Sequence, residues 1–190
     1  MKSFFDVLAQ VVESLDELSI PYMVVGSVAS SLYGDARATA DVDIVIEIQA
    51  EHVPPLHAAL QDDFDVDEQA MRRAVGSRRL FNAIHFDSLF KVDLYVSRDD
   101  AFTRQQFQRR REEKLLPDAE RGVYLASPED TLLAKLRWHR HSGAVSARQL
   151  TDAAGILKIQ GERIDLKYLR EWADKLSVRD LLEQAMVAAR

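Results

Sequence analysis

Three aspartates have the type and spacing for chemistry. Asp41 and Asp43 stand two apart in Asp41-Val42-Asp43-Ile44-Val45-Ile46. Side chains at i and i+2 of a strand point to the same face, so these two carboxylates can converge on divalent cations. Asp93 interrupts the otherwise apolar run Val92-Asp93-Leu94. A lone acid in such a strand is costly to desolvate unless it is paired or bound to metal. If the two strands are neighbours, three carboxylates meet at the sheet edge, the all-oxygen donor set that Mg²⁺ or Mn²⁺ prefers. The spacing alone is not specific, because Asp65 and Asp67 repeat it in Phe64-Asp65-Val66-Asp67. No Gly-Ser turn precedes that second pair, and it reads as surface.

The residues upstream of Asp41 answer other needs of phosphoryl chemistry. Gly26 lets backbone approach a triphosphate closely, and Ser27 adds a hydroxyl at the start of a helix whose free N–H groups and positive dipole end favour an anion. Arg37 can pair a phosphate through its planar fork, and Thr39 can hydrogen-bond locally to set the Asp41 backbone. Read blandly, Gly26 is an ordinary turn and Arg37 a solvated loop charge.

The elements that must position these groups follow from periodicity. Phe4, Val7, Leu8, Val11, Leu15 and Leu18 form a helical stripe stopped by Ile20-Pro21. Tyr22 to Val25 is a short strand running into Gly26-Ser27 and a helix closed by Gly34. Asp41 to Ile48 alternates with period two, and a helix begins near Pro54-Pro55. Leu80 to Phe86 and Leu89 to Val96 read as a hairpin turning at Asp87-Ser88, which gives a mixed sheet of about four or five strands. Ala101 to Arg111 is helical, and the stretch through Tyr124-Leu125 is loop or short strands. Ser127 caps a helix with Pro128 at its first position, and further helices are expected near 147–159, 166–176 and 179–188. The expected class is therefore α+β, a mixed sheet flanked by helices over residues 1–126 followed by a helical bundle over 127–190.

Composition narrows the function. With 190 residues and 47% hydrophobic content the chain can bury one good core. It has no cysteine, which excludes disulfides, thiolate metal sites and a cysteine nucleophile. A net charge of -6 argues against tight sequence-independent binding to a duplex. No apolar run is long enough to span a membrane, so a cytoplasmic protein is expected. His139 and His141, two apart on a helix, do not face one ligand and read as solvated. The mixed-sign run Arg109 to Lys114 reads as a solvated helix end, and Trp138 and Trp172 as helix-packing residues.

The pattern of apolar strand, Gly26-Ser27, Arg37-x-Thr39-x-Asp41-x-Asp43 and a later strand with Asp93 resembles the DNA polymerase β-type nucleotidyltransferase superfamily. The chain looks closer still to bacterial AbiE-type toxin nucleotidyltransferases, which continue with a helix like Ser127 to Lys135 and one like Arg148-Gln149-Leu150-Thr151-Asp152. The likeness spans roughly residues 20–160. The last motif departs from relatives in lacking a Lys-Asp pair, which leaves Asp152 without an assigned role. The resemblance implies that Asp41 and Asp43 hold two Mg²⁺ (or Mn²⁺) ions and that Asp93 holds the one activating an acceptor hydroxyl. It implies that Lys135 neutralises triphosphate charge, where the bland reading is a surface lysine. A nucleoside triphosphate would donate its monophosphate to a protein, RNA or small molecule, and an antitoxin would be the partner. Two other readings stand beside this one. A non-catalytic nucleotide-binding or antitoxin-like protein of the same fold has the three intact acids against it, and a purely structural module leaves the motif coincidence unexplained.

Overall fold

The computed structural model describes residues 2–116, 121–142 and 147–189. The chain divides into two compact units: Met1–Val25 with Thr39–Leu125, and Gly26–Ala38 with Ala126–Arg190. The short excursion between the first two strands is thus grouped with the C-terminal helices.

The first unit is built on a mixed sheet. Helix α1 (Phe4–Glu17) is held at its start by a capping box between Ser3 and Asp6. It ends with Ser19 in the left-handed region, φ 53°, and with Ile20 N donating to Leu15 O at 2.8 Å. This is a Schellman ending one residue ahead of the expected Ile20-Pro21 stop. The strands are β1 (Tyr22–Val24), β2 (Asp41–Ile46), β3 (Phe64–Asp65), β4 (Leu80–His85), β5 (Lys91–Val96), β6 (Arg111–Glu113) and β7 (Val123–Leu125). They form one seven-stranded sheet in the order β3-β4-β5-β2-β1-β7-β6. The pair β2/β5 is parallel and central, while β1/β2 and β4/β5 are antiparallel. Helices α3 (Val53–Leu60), α4 (Glu68–Ser77) and α5 (Ala101–Arg109) complete the unit.

Period-two burial is sharp on β2, whereas β5 also buries Asp93 between Val92 and Leu94. Val42, Ile44, Ile46, Val92 and Leu94 are buried with the apolar faces of α1 and α3, including Val7, Leu15 and Leu56. The alternate residues of β2 and β5 carry the polar groups. Four or five strands were expected and seven are found among the described residues, because β3, β6 and β7 are only two or three residues long and leave no period to read. Helix α4 was not anticipated either. Its charged sequence hides a stripe that buries only Met71 and Ala74.

The second unit is all helix: α2 (Gly26–Tyr33), α6 (Pro128–Ser142), α7 (Ala147–Gln160), α8 (Leu166–Lys175) and α9 (Arg179–Ala188). The chain enters α2 through Gly26 at φ 64°, a backbone state that glycine adopts without the Cβ penalty. The C-terminal end of α2 lies close to α7, for a Cβ on Gly34 would stand 3.0 Å from Ile156 N. Ser127, Glu129 and Asp130 are fully or almost fully buried. Ser127 Oγ accepts from Asp130 N and donates to the Asp130 carboxylate, while Tyr168 donates to the other Asp130 oxygen at 2.6 Å and Glu129 accepts from Asp165 N. These acids join α6 to α8. Trp172 packs in the core at 9% exposure, but Trp138 is 59% exposed, correcting the expectation that both pack helices. The run from Arg109 is likewise more than a helix end: α5 stops at Arg109, Arg110 lies over the Tyr124 ring at 4.8 Å, and Arg111–Glu113 is an edge strand. Among the described residues no helix is long and apolar enough to cross a membrane.

Candidate active site

Parallel pairing of β2 with β5 builds one polar face in the first unit. Asp43 is the direct partner of Asp93 and Asp41 the direct partner of Lys91. Tyr95 continues the face along β5, and Asn82 of β4 stands opposite Asp93. Asp41 is exposed, Asp43 half-buried, and Asp93 only 8% exposed. Thr39 Oγ1 donates to the Asp41 carbonyl at 3.0 Å, so the loop entering β2 is tied to its first residue.

A lysine stands among the carboxylates. Lys91 Nζ lies 2.9 Å from Asp93 Oδ2 and 4.0 Å from Asp41 Oδ1. The hydrogen bond to Asp93 and the charges of all three acids push the Lys91 pKa up against the opposing effect of burial, so the group is an ammonium. Tyr95 is also pushed up, first by burial and then by the Asp43 and Asp93 charges. Asp93 Oδ1, in contrast, is buried with no hydrogen-bond partner. Among the described residues no three His, Cys, Asp or Glu side chains are already gathered to hold a metal ion. The donor chemistry nonetheless fits a hard divalent cation, since three carboxylates share one face and one buried oxygen lacks the partner that such an atom ordinarily has.

The second unit carries a separate charged network. Arg37 donates through one nitrogen to Ser27 Oγ at 2.8 Å and to Asp152 Oδ2 at 3.3 Å. Lys135 donates to the same Asp152 oxygen at 2.8 Å. Lys135 is 6% exposed, which rules out the bland reading of a surface lysine. Asp152 is the anion shared by the two cations expected to meet a triphosphate, and Arg37 Nε is buried without a partner. Arg148, from the same sequence motif, is exposed.

The second aspartate pair is employed elsewhere. Asp65 lies on the two-residue edge strand β3, and Asp67 caps α4 by accepting from Ala70 N. Sequence reasoning missed Lys91 and Tyr95, although the same alternation that pairs Asp41 with Asp43 puts Lys91, Asp93 and Tyr95 on one face. Two surface pockets of the first unit lie away from the acids, one lined by residues such as Tyr22 and Tyr124 and one by residues such as Glu47, Arg78 and Ser97.

No family model and no curated protein matches the sequence. Solved structures do match over nearly the whole length. A nucleotidyltransferase-like protein of Paracoccidioides brasiliensis superposes with a TM-score of 0.56 at 21% identity, covering 96% of this chain and 91% of its own. ANT(2'')-Ia, in complex with adenylyl-2''-tobramycin, gives a TM-score of 0.57 at 15% identity, covering 92% of this chain and 97% of its own. The chain has a nucleotidyltransferase fold. Within that fold the acid face belongs to the sheet, and the Ser27–Arg37–Asp152–Lys135 network belongs to the helical unit.

Proposed function

We propose that the chain is a divalent-metal-dependent nucleotidyltransferase. It moves a nucleoside monophosphate from a nucleoside triphosphate to an acceptor hydroxyl on a protein, an RNA or a small molecule. The observation that carries this reading is the parallel β2/β5 register, which sets Asp43 against Asp93 one step from Asp41, with Asp93 Oδ1 buried and unpartnered. Mg²⁺ or Mn²⁺ held by Asp41, Asp43 and Asp93 would supply counter-charge to the attacking and leaving oxygens. The chain's own groups do the rest. In the helical unit, Arg37 and Lys135 would be the cations for the triphosphate, Ser27 its hydroxyl donor and Gly26 the point of close backbone approach. Thr39 holds the backbone of Asp41. The acceptor oxygen forms its bond to the α-phosphorus as the bond to pyrophosphate breaks, and the hydroxyl proton leaves toward the acid face.

The finer likeness, to AbiE-type toxins acting in the cytoplasm with an antitoxin partner, rests on the sequence motifs around Asp41 and Asp152. A second reading, a non-catalytic nucleotide-binding or antitoxin-like protein, draws on Lys91 standing where a cation would bind. Incubation with each α-labelled nucleoside triphosphate and Mg²⁺ in cell extract separates them. Active protein labels one acceptor class, and Asp43→Ala abolishes labelling while circular dichroism stays native. Replacing both Asp65 and Asp67 with Asn leaves labelling within a few-fold of wild type. No labelling in any fraction favours the non-catalytic reading, and a dead but folded Asp65/Asp67 variant means the site lies on the wrong strand.

A further inference from the structure

Lys91 is a cation on the acid face that a metal-binding reading does not explain. It sits two residues before Asp93 on β5 and directly opposite Asp41 on β2, so alternation and register both aim it into the carboxylates. Its ammonium contacts the buried Asp93 through Oδ2, and the other oxygen of that carboxylate is left without a partner. A fully solvated ion pair would mean little. Here one partner is an aspartate with a side-chain exposure of 12%, whose charge has lost most of its water. Three like charges on one face also repel one another, and Lys91 is the cation positioned to relieve that repulsion.

We propose that Lys91 is a built-in counter-ion of the acid face, which holds Asp93 and Asp41 before metal arrives and must be displaced for a divalent ion to bind. This inference rests on the metal-dependent reading above. Lys91 thereby weakens binding of free metal, and the added counter-charge of a triphosphate is what makes metal loading favourable. The residue acts on affinity and on the metal-free protein rather than on the chemical step.

The test compares wild type, Lys91→Met, which keeps the aliphatic stem without charge, and Lys91→Arg, which keeps the charge. Mn²⁺ is titrated without nucleotide and followed by the loss of its free electron paramagnetic resonance signal, and each protein is melted in chelator. Lys91→Met is expected to bind Mn²⁺ about three- to tenfold more tightly, the effect of removing one positive charge beside a divalent ion in a half-solvated site. Its metal-free melting temperature is expected to fall, while Lys91→Arg stays within about twofold of wild-type affinity. Equal or weaker Mn²⁺ binding by a folded Lys91→Met overturns the inference and leaves the metal reading standing. If Lys91→Met does not fold, Lys91→Gln is read in the same way. Absence of Mn²⁺ binding by wild type, with and without triphosphate, overturns the metal reading and this inference together.

Discussion

Asp152 shows how one residue can serve both stability and charge placement. Its side chain, 11% exposed, accepts from the buried Lys135 and from Arg37. Removing one partner of a buried pair leaves an uncompensated charge, whereas removing both can be nearly neutral. Asp152→Ala is therefore expected to lower unfolding free energy by about 3 kcal/mol. Adding Lys135→Met to Asp152→Leu is expected to recover much of the loss of Asp152→Leu alone. Urea midpoints of the variants check this, and a loss for Asp152→Ala below about 1 kcal/mol, the range of surface pairs, would show the network to be solvated.

At the scale of elements, the helix ends show where stability has been left unused. Helices α1 and α8 both close in Schellman motifs, and the left-handed position is filled by serine in each: Ser19 at φ 53° and Ser177 at φ 57°. A Cβ in that region costs roughly 1–2 kcal/mol, which glycine avoids at some entropic expense in the unfolded chain. Both serines are exposed. Ser177→Gly is expected to raise stability by up to about 1 kcal/mol, read as a higher melting temperature with unchanged circular dichroism. A lower melting temperature would mean that the serine hydroxyl contributes more than the strain it brings.

At the scale of the whole molecule, two tyrosines of the first unit make stability depend on alkaline pH. Burial pushes Tyr22 up to about 12, with the Asp16 charge adding to it and the Tyr124 backbone opposing. Tyr95 is pushed up as well, by burial and by the acid face. Both groups keep their protons more tightly when folded. Their contribution is whole below the unfolded tyrosine value of about 10 and is lost as pH rises through the folded value. Unfolding free energy is expected to decline more steeply between pH about 10 and about 12 than Tyr22→Phe shows over the same range. Identical slopes for the two proteins would remove Tyr22 as a cause.

Much of this protein was legible in its sequence. Alternation alone puts Asp41 with Asp43 and aims Val42, Ile44 and Ile46 into the core, because a strand's two faces differ by one residue. Ser127-Pro128 announces α6, since a capping hydroxyl and a proline at the first helical position need no tertiary partner. The Asp65/Asp67 pair, read as surface for want of an upstream Gly-Ser turn, lies on an edge strand and at a helix cap. Tertiary structure decided what depends on register and on distant chain. No local pattern states that β2 pairs with β5 in parallel, and that choice alone puts Asp93 beside Asp43 and Lys91 beside Asp41. Strands β3, β6 and β7 are too short to carry a period and exist only because a neighbour offers hydrogen bonds. Arg37, Lys135 and Asp152 lie up to 115 residues apart in the chain, and only packing of α2, α6 and α7 in one unit makes them a single charged network.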